Sequence, residues 1–168
     1  MTHRLILVRH AKSSWDNPQL EDRHRGLSDR GKRTAPVIGK WLAEREYVPA
    51  VVLCSSARRA FETWKLLSPN LFPQPRVELS DALYHALPAT MIRAIAERPE
   101  TTVMLVGHNP GIGAFAAGLV RNAPDHPDFH RFPTAATAVI DFAGESWAEA
   151  RRGTGDLKAF VVPRDLVR

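Results

Sequence analysis

The residues best equipped for chemistry in this chain are Arg9, His10, Arg59 and His108, and each follows a short aliphatic run. Leu5-Ile6-Leu7-Val8 leads into Arg9-His10, Ala50-Val51-Val52-Leu53-Cys54 leads into Ser55-Ser56-Ala57-Arg58-Arg59, and Thr102-Val103-Met104-Leu105-Val106 leads into Gly107-His108. Runs of this kind read as strands buried on both faces. The polar residues then stand at the carboxyl ends of strands, where open α/β sheets bind ligands. A lone Arg-His pair is more often a solvated strand end. Guanidinium and imidazole groups recurring at three strand ends argue instead for one site that handles a phosphoryl group.

These side chains need a scaffold, and the rest of the chain supplies one. Lys12 to Gly26 reads as a charged loop over the first strand end. Ser28 caps a helix whose Ala35, Ile38, Trp41 and Leu42 share a face, with Pro36 bending it or restricting its first turns. After Ser55, the core face Ala60, Trp64 and Leu67 marks a second helix. Its first-turn amides, with Arg58 or Arg59, could attract an anion at the sheet edge. Ser68 to Pro75 is a proline-punctuated connector, and Val77 to Leu79 a short edge strand. A helix follows from Pro88 to Arg98, then one from Ile112 to Val120. Residues 121–133 read as irregular. Strands near 136–142 and 157–162 are separated by a polar turn region that holds Trp147.

At 168 residues the expectation is one domain spanning residues 1–168. No apolar stretch approaches the ~20 residues of a membrane span, and Met1 to Arg4 runs straight into the first strand, which points to a cytoplasmic protein. Cys54 is the single cysteine, excluding an internal disulfide or a thiolate metal cluster and reading as a core residue. The net charge of +5 lies wholly in residues 1–84, which hold fourteen Lys/Arg against nine Asp/Glu; residues 85–168 hold nine of each. That asymmetry suits an anionic partner. It does not suit nucleic acid, because the basic residues are interspersed with acids and lack aromatic interleaving. His126 and His130 have i, i+4 spacing, but Pro127 between them argues for loop residues and against a metal pair.

Taken together the motifs resemble the histidine phosphatase superfamily. Arg9-His10-Ala11 matches its opening Arg-His-Gly with alanine in third place. Ser55 to Thr63 matches Ser-Pro-Leu-x-Arg-Ala-x-x-Thr, a register that selects Arg59 over Arg58, and Gly107-His108 matches the last motif. Arg9-His10-Ala11-Lys12, Arg25-x-Leu27-Ser28-x-x-Gly31, Gly107-His108-Asn109-Pro110-Gly111 and Phe132-Pro133-Thr134 are similar to the small SixA-type phosphohistidine phosphatases. The chain departs from that subgroup at His24, where aspartate is usual, and at Gly26, where proline is usual.

The resemblance implies a phosphoglycerate mutase-like α/β fold: a three-layer sandwich with a mostly parallel central sheet flanked by helices. It implies His10 as a nucleophile that becomes phosphorylated, with Arg9, Arg59 and His108 holding the phosphoryl oxygens. Arg25, Ser55, His85 and Asn109 are candidate phosphate or substrate contacts. No metal and no cofactor is expected. The implied substrate is a phosphorylated molecule, with a phosphohistidine protein foremost. A general phosphomonoesterase, a non-catalytic phosphoprotein-binding module, and a metal hydrolase built on His10, His85 and His108 are the competing readings. The metal reading lacks carboxylates paired at ligand spacing.

Overall fold

Alternation along the strands decides the architecture, which a computed structural model describes for residues 1–167. In β1 (Thr2–Arg9), β2 (Val51–Ser55) and β4 (Thr102–Gly107), Leu5, Leu7, Val51, Leu53, Val103 and Leu105 face one side. Ile6, Val8, Val52, Cys54, Met104 and Val106 face the other. Both faces need cover. Helices α1 (Asp29–Glu44) and α2 (Arg58–Leu67) bury the second set beneath Ile38, Trp41, Leu42, Ala60, Trp64 and Leu67. Helices α3 (Pro88–Ala96) and α4 (Gly111–Leu119) bury the first beneath Met91, Ile95, Ile112, Phe115 and Leu119. Each large aliphatic side chain so enclosed contributes about 2 kcal/mol.

With β3 (Arg76–Ser80), β5 (Thr137–Ala143) and β6 (Asp156–Val161) the sheet has six strands in the order β3-β2-β4-β1-β5-β6. The first four are parallel, while β5 pairs antiparallel with both β1 and β6. This is the expected mostly parallel sheet between two helical layers. Strand β1 is central, and its register sets Arg9 opposite Gly107. The carboxyl ends of β1, β2 and β4 therefore open on one edge.

Two local outcomes were outside the sequence expectation, the early start of β1 and a short helix after β6. Strand β1 starts at Thr2 because Thr2, His3 and Arg4 pair with Ala143, Phe142 and Asp141, and the Arg4 guanidinium bridges Asp141 at 2.7 Å. Pro36 lies inside α1, which continues to Glu44. A short helix α5 (Pro163–Leu166) follows β6, with Asp165 accepting from the Val162 amide at 3.0 Å. Among the described residues no helix is long and apolar enough to cross a membrane. Cys54 is buried as expected, and burial pushes its thiol up to about 12.

Candidate active site

A pocket of about 230 Å³ opens at that shared edge, lined by Arg9, His10, Lys12, Ser13, Trp15, Asp22, Arg25, Arg59, His85, His108, Asn109 and Thr134. Four cationic side chains thus face one carboxylate. His10 follows β1 directly; its amide donates to Gly107 O at 3.1 Å, fixing it against the end of β4. Its ring is 6 % exposed, and Nδ1 lies 2.7 Å from the Ala11 carbonyl oxygen. A carbonyl only accepts, so Nδ1 carries the proton and Nε2 keeps a free lone pair. Burial, reinforced by the charges of Arg59, Arg9 and Arg25 against the opposing Ala11 hydrogen bond, pushes His10 down to about 3.

Arg59 enters from the first turn of α2 and is 2 % exposed. Arg58 points away and pairs with Glu62 at 2.9 Å. The hydroxyl of Thr63, one turn on, donates to Arg59 O at 2.7 Å and accepts from the Ala11 amide at 2.9 Å. One side chain so ties the backbone after His10 to the backbone at Arg59. The first-turn amides of α2, expected to face an anion, do not line the pocket; the Arg59 side chain alone reaches it from that helix.

Ser55 was expected as a substrate contact, and here the structure corrects the sequence reading. It is fully buried behind His108, with Oγ 2.8 Å from His108 Nε2 and accepting from the Ala57 amide at 3.2 Å. With one hydrogen and a second lone pair still open, the hydroxyl can serve His108 Nε2 in either tautomer. Burial first, then His10, Arg59 and His85, push His108 down to about 2. Asn109 lines the pocket, yet its amide is committed to the protein: Nδ2 donates to Arg131 O at 2.9 Å and Phe132 O at 3.0 Å, and Oδ1 accepts from Gly113 N at 3.2 Å. The same Phe132 carbonyl accepts from Arg9 Nη1 at 3.2 Å.

Asp22, which no motif singled out, is the hub of the site. Its carbonyl and Oδ2 accept from Arg59 Nη1 and Nη2 at 2.7 and 2.8 Å, and its Oδ1 accepts from Arg25 Nη2 at 3.1 Å. Tyr84 donates to Oδ2, and His85 Nε2 lies 3.2 Å from it. Burial opposes ionisation, but the hydrogen bonds from Tyr84, Arg59, His85 and Arg25 outweigh it and hold this carboxyl well below the usual range. Arg25 is buried, donates to Ser13 Oγ at 3.0 Å, and lies under the exposed Trp15 ring at 3.6 Å. The loop that carries Asp22 and Arg25 is pinned at its base by Ser14 N to Gly26 O and Leu27 N to Glu62 Oε1. His85 sits at the mouth with a φ of 52°, a left-handed conformation that costs a non-glycine residue stability.

Three nitrogens in the pocket wall, Arg9 Nε, Arg59 Nε and His108 Nδ1, are buried and have no partner in the protein. The ring centroids of His10 and His108 lie 5.2 Å apart. His10, His85 and His108 do come together, but His10 and His108 each direct a nitrogen to Ala11 O and Ser55 Oγ, and among the described residues no group of three His, Cys, Asp or Glu is placed to hold a metal ion.

The chain is similar to known proteins. Residues 5–85 match the model of the histidine phosphatase superfamily, branch 1. The chain is 38 % identical to an uncharacterised protein of Mycobacterium leprae, over 94 % of this chain and all of that one. A candidate phosphohistidine phosphatase SixA of Agrobacterium tumefaciens is 30 % identical, with a TM-score of 0.80 over 96 % of this chain and 98 % of that one. The protein histidine phosphatase SixA complexed with tungstate, at 20 % identity, shares the fold with a TM-score of 0.75 over 98 % and 99 % of the two chains. The chain belongs to the histidine phosphatase superfamily, branch 1.

Proposed function

We propose that residues 1–168 form one histidine phosphatase domain that hydrolyses phosphohistidine in proteins through a phosphorylated His10. The observation that carries this reading is the free Nε2 lone pair of His10 in a pocket where Arg9, Lys12, Arg25 and Arg59 face the single carboxylate of Asp22. That excess of positive charge suits a phosphoryl group. Arg9, Arg59 and His108 hold its oxygens. The Nε2 lone pair of His10 attacks phosphorus, the bond to the leaving group breaks, and the electron pair departs with that group. Water then attacks the His10 phosphoramidate, returning the lone pair to Nε2 and releasing inorganic phosphate. Positioning and charge stabilisation supply most of the rate in such transfers.

The substrate class follows from the acid the pocket lacks. An alkyl ester expels an alkoxide and needs a proton donor on its bridging oxygen. Asp22 is the only carboxyl in the lining, and it is held ionised. Phosphohistidine makes less demand, because solvent protonates its imidazole near a pKa of about 6.5 and it leaves neutral. The likeness to SixA proteins supports the same class. A phosphohistidine peptide, a phosphoserine peptide and a panel of sugar phosphates offered side by side should rank with phosphohistidine ahead by about 100-fold or more. Parity among them overturns the reading. Activity should also survive exhaustive chelation.

One observation favours a general phosphomonoesterase: the His85 imidazole lines the pocket beside Asp22 and could donate the proton. Under that reading His85→Ala loses alkyl ester turnover selectively, from a high starting level.

A further inference from the structure

Beside the catalytic pocket, and sharing Thr134 with it, lies a second cleft of about 140 Å³. Arg131 and Arg164 meet in it on one carboxylate, Asp128, which they approach from separate elements. The Asp128 side chain is only 5 % exposed, while those of Arg131 and Arg164 are 74 % and 73 % exposed. A buried acid thus pins two guanidinium heads side by side at the surface. Arg30, exposed in the first turn of α1, completes the rim. Three cations stand against one carboxylate, leaving an excess of positive charge that an anion can use.

The cleft is fastened to the catalytic residues. The Arg131 carbonyl accepts from Asn109, and the next carbonyl, of Phe132, accepts from both Asn109 and Arg9. Phe132 and Ala135 hold positive φ of 46° and 63°, so the segment is locked in an unusual path by its surroundings. The Arg131 backbone is therefore tied to that of the residue Arg9 grips, and the cleft adjoins the catalytic pocket at Thr134.

We propose that Arg30, Arg131 and Arg164 form a docking site for acidic side chains that flank the phosphohistidine of a protein substrate. This rests on the phosphohistidine reading above. The cleft selects among phosphoproteins by charge, acting on encounter and binding, while the chemistry stays with His10.

The test uses histidine peptides phosphorylated chemically with phosphoramidate and differing only in their flanks: acidic, neutral or lysine-rich. The intact protein should show kcat/KM about tenfold higher for the acidic than for the neutral peptide, carried by KM and weakened by salt. In the double variant R30E/R131Q, which leaves Arg164 to pair with Asp128, that preference should fall to within about twofold, with p-nitrophenyl phosphate turnover unchanged. Equal turnover of acidic and neutral peptides by the parent, or a preference that survives in the variant, overturns the docking site and leaves the substrate class standing. Turnover of p-nitrophenyl phosphate with none of any phosphohistidine peptide overturns the substrate class and the docking partner with it. A bisphosphorylated sugar that outperforms its monophosphate tenfold, while the peptides do not differ, assigns the cleft to a second phosphate and overturns the protein partner.

Discussion

The Ala11 carbonyl lies 2.7 Å from Nδ1 of His10, so the residue after His10 sets the tautomer of its imidazole. Alanine serves because the contact uses only its backbone. The exposed lone pair is on Nε2, and the covalent intermediate should form there. A rapidly quenched reaction should contain an acid-labile, base-stable phosphoryl adduct on His10, visible by mass spectrometry. His10→Ala should lack it and lose about 10⁴-fold or more in turnover. A serine adduct would refute the mechanism.

Acid should act late on catalysis. His10 is pushed down to about 3, so the neutral nucleophile persists as pH falls through 6.5, the ordinary histidine value. With an aryl phosphate, the enzymic acid limb of kcat/KM should lie below about pH 4 after correction for ionisation of the substrate. Stability should respond earlier. The unfolded chain protonates His10 and His108 near pH 6.5 and the folded one does not, so the stability present above that pH is lost progressively toward 3. Denaturant midpoints measured from pH 7 to 4 should fall, and less steeply in His108→Gln.

Arg59 and Arg58 are neighbours with opposite fates. Arg59→Lys keeps the charge but loses the fork that grips Asp22 and the Nε donor, and should cut kcat/KM by about 100-fold or more. Arg58→Lys, altering an exposed pair with Glu62, should stay within about twofold. Equal effects would mean that the register of α2 is misassigned.

Asp22→Asn removes the charge and places an NH2 among the donors of Arg25, Arg59, Tyr84 and His85. Released from one anchor, Arg59 should hold phosphate less well. Turnover should fall about tenfold or more, with inhibition by tungstate or vanadate weakened in parallel. Unchanged oxyanion inhibition would show that Asp22 does not position the clamp.

What could be seen in the sequence is what local pattern encodes. The aliphatic runs marked β1, β2 and β4, and the register of Arg59 before Thr63 picked out the arginine that lines the pocket. Asp22 escaped because its partners Arg59, Tyr84 and His85 lie 37, 62 and 63 residues away, and a loop aspartate among other charges carries no periodic signal. Ser55 was placed at the right strand end but on the wrong side of His108. Spacing fixes which residues reach an edge, not which of two stands behind the other. The role of Asn109 was missed for a related reason: its amide serves the 131–132 backbone, a contact between distant segments.

The hydroxyl of Thr63 holds the chain after His10 and the chain at Arg59 to one shared oxygen. The spacing of the backbone beside His10 and at Arg59 is thereby set when the protein folds, and little of the cost of ordering it remains to be met when a ligand arrives. His10 and Arg59 form one mechanical unit. Thr63, which touches no substrate, sets its spacing, and strain introduced on either side of that oxygen is transmitted to the other.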